Sequence, residues 1–231
     1  MKRSRADDTV VPTGVKALDV ALMTGGFKKG SIILFVGDPG SRKDLFGYHF
    51  LLNGLEKGEE AAFYDVEASS DEIMDLMNCN VDDSILAKLD FVNACPEYTK
   101  FFIQAVPARI LEHMGALDEK KVNRVLINPL TFFLEKFGMR DAGDFIILAR
   151  EIAMKKGMVV VFLMADILPE RDMQSVIDKV DGVIDLRTVK YVDGIFHTLT
   201  VRKINSEYKN VELSYNTEGT DIRFMSTGRI V

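Results

Sequence analysis

Apolar positions along this chain follow two rhythms. Short unbroken runs, "SIILFV" (31–36), "AAFYDV" (61–66), "LDFVNA" (89–94), "RVLIN" (124–128) and "MVVVFLM" (158–164), predict strands buried on both faces. Between them lie segments with apolar residues at helical spacing. One runs from about Lys43 to Lys57, and "SDEIMDLMN" opens with a capping pattern at Ser70. "DAGDFIILAREIAMKKG" carries basic residues near its end and Gly157 to stop it. "FIQAVPARILEHM" reads as an amphipathic helix interrupted near Pro107, either covering the sheet or offering a surface to a partner. Strand and helix in alternation predict an α/β fold with a mainly parallel sheet flanked by helices.

The rhythm changes near the end. "GVIDLRTV", "GIFHTLTVRKI", "NVELSYNT" and "TDIRFM" are short segments parted by turn signals such as "VDG" and "TEG". They predict hairpins and hence an antiparallel β extension on the sheet. With no repeat or linker, the expectation is a tail over 1–12 and a single domain over 13–231.

Composition narrows the partners. The net charge of −6 opposes nucleic acid as the main partner, because phosphate binding rests on a basic surface. "MKRSR" is a small basic cluster that reads as a solvated terminus. Cys79 and Cys95 lack metal-ligand spacing, and His49, His113 and His197 share no motif, so no metal site is expected. No apolar run is long enough to span a bilayer, and the charged start does not resemble a leader. A cytoplasmic protein away from membranes is the expectation.

One loop carries candidate chemistry. Gly37, Asp38, Pro39, Gly40, Ser41, Arg42, Lys43 and Asp44 lie between a predicted strand and a predicted helix, the context of a phosphate-binding loop. Arg42 stands where the pattern wants its second glycine, and Asp44 where it wants a hydroxyl. A side chain at position 42 intrudes on the approach of a phosphate. A carboxylate at position 44 repels phosphate unless a metal lies between them.

With its flanks the loop resembles the opening of a KaiC-like domain of the RecA superfamily. The matching parts are Thr13-Gly14-Val15 to Asp19, Gly25-Gly26-Phe27 to Gly30, the loop, His49-Phe50-Leu51 to Gly54, and Glu67-Ala68. The later "VDGVIDLRT…HTLTVRKI" is similar to the family's closing strands. The resemblance implies a RecA-like P-loop fold. It also implies roles that this chain departs from. Ala68, beside Glu67, replaces a carboxylate that polarises the attacking water. Asn128 replaces the aspartate that reaches magnesium, and Asn205 replaces an arginine in a K-x-R pattern. Lys203 keeps that pattern's lysine and is a possible nucleotide contact.

Arg42, Asp44, Ala68, Asn128 and Asn205 thus fall on phosphate approach, metal ligation, water activation and charge stabilisation, which phosphoryl transfer needs together. The expectation is a catalytically inactive homologue acting as a regulatory or protein-binding module. No catalytic residue, metal or cofactor is expected, and the partner is another protein or a second copy. The alternative is a switch that binds ATP or ADP without normal magnesium coordination and barely hydrolyses it. A DNA-repair accessory is a third reading, carried by fold analogy alone.

Overall fold

A computed structural model describes residues 9–66, 82–93, 100–191, 194–205 and 207–225. In chain order the elements begin with β1 (Val10–Val11), α1 (Lys16–Ala21), β2 (Phe27–Lys28), β3 (Ile32–Gly37) and α2 (Lys43–Glu56). There follow β4 (Glu60–Asp65), α3 (Asp83–Leu86), β5 (Leu89–Asn93), α4 (Lys100–Ala116), β6 (Val122–Asn128) and α5 (Leu130–Lys156). The rest are β7 (Val159–Ala165), α6 (Glu170–Ile177), β8 (Gly182–Tyr191), β9 (Gly194–Ile204), β10 (Glu207–Glu218) and β11 (Asp221–Phe224). Nine strands form one sheet in the order β11-β10-β9-β8-β3-β7-β6-β4-β5. The run from β8 to β5 is parallel, while β8 to β11 is an antiparallel meander.

The unbroken apolar runs are explained by two cores. Along β3, Ile32, Leu34 and Val36 enter a core shared with α4, α5 and α6. Ile33 and Phe35 face the other way, against α2 and the amino-terminal segment. A strand with helices on both faces has no polar side to show.

The amino-terminal segment is clasped onto α2. Gly14 has φ +83°, and a Cβ there would overlap the His49 carbonyl oxygen, so glycine serves both conformation and space. The Thr13 N–H donates to Asp19 (2.8 Å). Below them Arg124, at 0% exposure, donates to the carbonyls of Pro12 and Phe50 (both 2.7 Å) and to Glu59 (3.0 Å). The "T-G…D" pattern is therefore a clasp as much as a motif.

Several expectations change. Val10 and Val11, placed in the tail by the sequence, pair with β2, and Val11 joins the core. The helix around Pro107 is continuous as α4, with Pro107 inside it. The helix ending at Gly157 begins earlier than expected and is divided at Gly138, whose φ 78° and ψ 173° are non-helical. That conformation is essentially restricted to glycine. Gly157 does cap α5 in the left-handed conformation (φ 71°). The helix expected at Ser70, the pair Glu67 and Ala68, and Cys79 and Cys95 lie outside the described residues.

Candidate functional site: a P-loop with a built-in cover

β3 delivers Gly37 to the middle of the sheet, with β7 on one side and β8 on the other. The chain turns through 38–42 and enters α2 at Lys43. A Cβ on Gly37 would overlap the Ser41 hydroxyl, so the tightness of the turn requires glycine. Ser41 is fully buried, and its hydroxyl donates to the Asp38 carbonyl (2.8 Å). At the start of α2 the Leu45 N–H donates to the Arg42 carbonyl (3.1 Å), and the N–H groups before it have no intrahelical acceptor, as at any helix start.

Arg42 does not reroute the loop. It adopts φ 54° and ψ 36°, the left-handed conformation open to glycine without penalty, at about 1–2 kcal/mol for a residue with a Cβ. Its guanidinium lies 41% exposed, donating to the Gly219 carbonyl (3.3 Å), with Asp44 4.0 Å away. Lys43 is half-buried, and its ammonium has no hydrogen-bond or ion-pair partner among the described residues.

The C-terminal meander covers this loop, a feature with no counterpart in the sequence reading. Asp38 accepts from the Thr188 N–H (2.6 Å), the Thr188 hydroxyl (2.7 Å) and the Gly40 N–H (3.1 Å). Partial burial pushes its carboxyl up, but the Thr188 and Gly40 hydrogen bonds, helped by the Arg187 charge, hold it below the ordinary carboxylate value. The Tyr215 hydroxyl donates to the Ser41 carbonyl (2.5 Å), and the His49 ring to the Thr220 carbonyl (3.0 Å). His197 stacks on Tyr215 (5.1 Å between rings). Burial holds its pKa below the ordinary imidazole value, which favours the neutral ring.

A charged chain lies beside the loop. The Asp166 N–H donates to the Gly37 carbonyl (3.0 Å), and the Asp166 carboxylate pairs with Arg187. Arg187 also grips Asp185 through two nitrogens (2.6 and 3.1 Å), and Arg202 reaches Asp185 (3.2 Å). The hydrogen bonds that Arg187 donates to Asp185 and Asp166 raise its pKa and keep it charged. The "D-L-R" spacing was the available signal, since residues two apart share a face of a strand.

The other expected positions are scattered. Asn128 ends β6 directly opposite Asp65 on β4, and its amide donates to the Asp65 carboxylate (2.7 Å). Asp65 is fully buried and was missed by the sequence reading. Lys203, only 7% exposed, donates to the carbonyls of Ile177 (2.9 Å) and Val180 (2.7 Å). It thus serves the carboxyl end of α6, where a cation is favoured. Lys203 pairs with Val183, toward the start of β8, whereas Gly37 pairs with Leu186. Asn205 (φ 50°) occupies the turn between β9 and β10, where asparagine tolerates the left-handed conformation better than most residues.

Magnesium in a P-loop site takes a hydroxyl and an acidic partner. Here Asp44 replaces the hydroxyl and faces Arg42, while the Asn128 amide is committed to Asp65. These donors do not match that set. Among the described residues no group of three His, Cys, Asp or Glu side chains is placed to hold a metal ion. No described helix is long and apolar enough to cross a membrane.

Comparison with known proteins agrees with the fold. Protein RecA of Streptomyces ambofaciens is 36% identical over 89 residues, which are 38% of this chain and 24% of that protein. Protein RecA of Bacillus velezensis is 31% identical over 126 residues, 52% of this chain and 36% of that protein. The match thus spans well under half the length of these curated relatives. A KaiC-like protein from Pyrococcus horikoshii OT3 superposes with a TM-score of 0.75 at 16% identity, over 94% of this chain and 99% of that one. The family described as "ATPase: KaiC" matches residues 11–214. The chain therefore belongs to the KaiC family of ATPases, with a RecA-superfamily P-loop fold.

Proposed function

We propose that this KaiC-family chain has given up ATP hydrolysis and acts as a regulatory, protein-binding module. The observation that carries the reading is the pair at the ends of β4 and β6. Asn128 stands where an acidic residue would reach magnesium, and its amide is tied to the buried Asp65. Arg42 and Asp44 add to it, since one places a side chain at the phosphate approach and the other removes the metal-ligating hydroxyl. In this reading the loop is a structural joint that seats the C-terminal meander, and no magnesium-dependent step is assigned to it.

The test is ATP turnover by the natural sequence with magnesium at high protein concentration. No phosphate release above background is expected. Release that depends on Lys43 would overturn the reading. Activity should return only in a combined Arg42→Gly, Asp44→Thr, Ala68→Glu and Asn128→Asp variant, and recovery in any of the four single variants would count against the reading.

A second reading, a nucleotide-binding switch, is favoured by Lys43, half-buried at the start of α2 and unpaired among the described residues. It is separated by thermal unfolding with ATP or ADP. Ligand at about 100 times its dissociation constant adds about 2.7 kcal/mol, which raises the midpoint by roughly 5–11 °C. A rise abolished by Lys43→Ala supports the switch, and no rise with either nucleotide removes it.

A further inference from the structure

Away from the loop, α4 and α5 pack against each other, and each carries a residue that disturbs helical hydrogen bonding. Pro107 cannot donate to the Ile103 carbonyl, and Gly138 breaks α5 outright. Between them lies a groove of about 340 Å³, walled by Pro107, Ala108, Leu111, Phe137, Phe145 and Leu148. Phe133 stacks on Phe145 at its floor (4.4 Å between rings). Leu148, one of the lining residues, is 47% exposed, and its chain neighbour Ile147 is 43% exposed.

The rim carries Asp141, Asp144 and Gln104, and none of the lining residues is cationic. Asp141 and Asp144 are three apart on α5 and sit on one side of the opening. Both are exposed. The charged residues Arg109 and Glu112 of α4 line a different depression, beside β5. An apolar slot with carboxylates along one edge suits an amphipathic helix that presents large apolar side chains flanked by lysine or arginine. The chain's own net charge of −6 makes a second copy a poor electrostatic match.

We propose that the groove between α4 and α5 docks a basic amphipathic helix of a partner protein, read through Asp141 and Asp144. This rests on the protein-binding reading above and supplies its surface. The apolar side chains anchor the helix, and the carboxylates set its orientation and choice.

The probe is a fluorescein-labelled synthetic helical peptide of about 14 residues, apolar at i, i+3, i+4 and i+7 with lysines flanking that face. Fluorescence anisotropy with the full chain should show saturable binding. A peptide of the same composition with the apolar face scrambled should not bind. Asp141→Lys with Asp144→Lys, both on the surface, should weaken binding about tenfold or more, and should improve binding of a glutamate-flanked peptide. Unchanged melting of that variant confirms that the fold is intact. Equal binding of the scrambled peptide, indifference to the charge reversal, or absence of saturation would each overturn the proposal. So would sedimentation showing self-association that the peptide competes away, since the occupant would then be a second copy. ATP turnover would sink the proposed loss of hydrolysis without moving any of these readouts.

Discussion

Two arginines in this chain occupy opposite extremes of environment. Arg124 is fully buried, with carbonyls, a carboxylate and the Phe50 ring around it. Arg42 is 41% exposed, holds a left-handed backbone, and makes one hydrogen bond of 3.3 Å and one distant ion pair. The first has no water to fall back on if a partner is removed, whereas the second does. The same guanidinium is therefore a fixed point of the fold at one site and a replaceable addition at the other. Family resemblance marks position 42 as the unusual one, yet the architecture leans on position 124.

The contrast can be broken by removing each arginine. Arg124→Met leaves the Pro12 and Phe50 carbonyls without their donor, and should cost about 3–5 kcal/mol, read as a drop in urea midpoint and melting temperature. A loss under about 1 kcal/mol would mean that the clasp is held by apolar packing alone. At the loop, Tyr215→Phe deletes the donor to the buried Ser41 carbonyl and should cost about 1–3 kcal/mol. Arg42→Gly should go the other way, stabilising by up to about 1 kcal/mol. Relief of the left-handed conformation exceeds both the extra chain entropy of glycine and the weak, half-exposed hydrogen bond to Gly219. Equal destabilisation at 42 and 124 would erase the comparison.

The smallest effect is a matter of pH. The folded Asp38 carboxyl lies below its unfolded value of about 3.9, so its contribution is complete above that value and is lost as pH falls through the folded one. The natural chain should lose stability below about pH 4 more steeply than Asp38→Asn, measured by urea midpoints at stepped pH. Identical slopes would show that the Thr188 contact carries no linkage.

The strands around the loop were legible because a strand covered on both faces must be apolar throughout, as "SIILFV" and "MVVVFLM" are. The loop was legible because glycine, proline and lysine hold fixed spacing there. Asp65 was not, since its tie to Asn128 exists only once β4 and β6 lie side by side, 63 residues apart in sequence. Arg124 read as the polar start of a strand. Its burial depends on Pro12, 112 residues away, and on Gly54, where a Cβ would overlap its side chain. The cover over the loop was illegible for the same reason, because Thr188 and Tyr215 look like ordinary strand residues until the meander is placed. α6 was missed although Met173, Val176 and Ile177 keep helical spacing behind Pro169, so its signal is present in the pattern itself.

The position of β3 has a consequence for synthesis. Its two neighbours in the sheet, β7 and β8, begin at residues 159 and 182. At about 5–20 residues per second, a strand of six buried residues waits on the order of 6–25 seconds on the ribosome before its first partner is made. During that interval both of its edges are unpaired and open to other nascent chains. The central strand, the best protected in the finished molecule, is the segment of this fold that most needs shielding while the protein is being born.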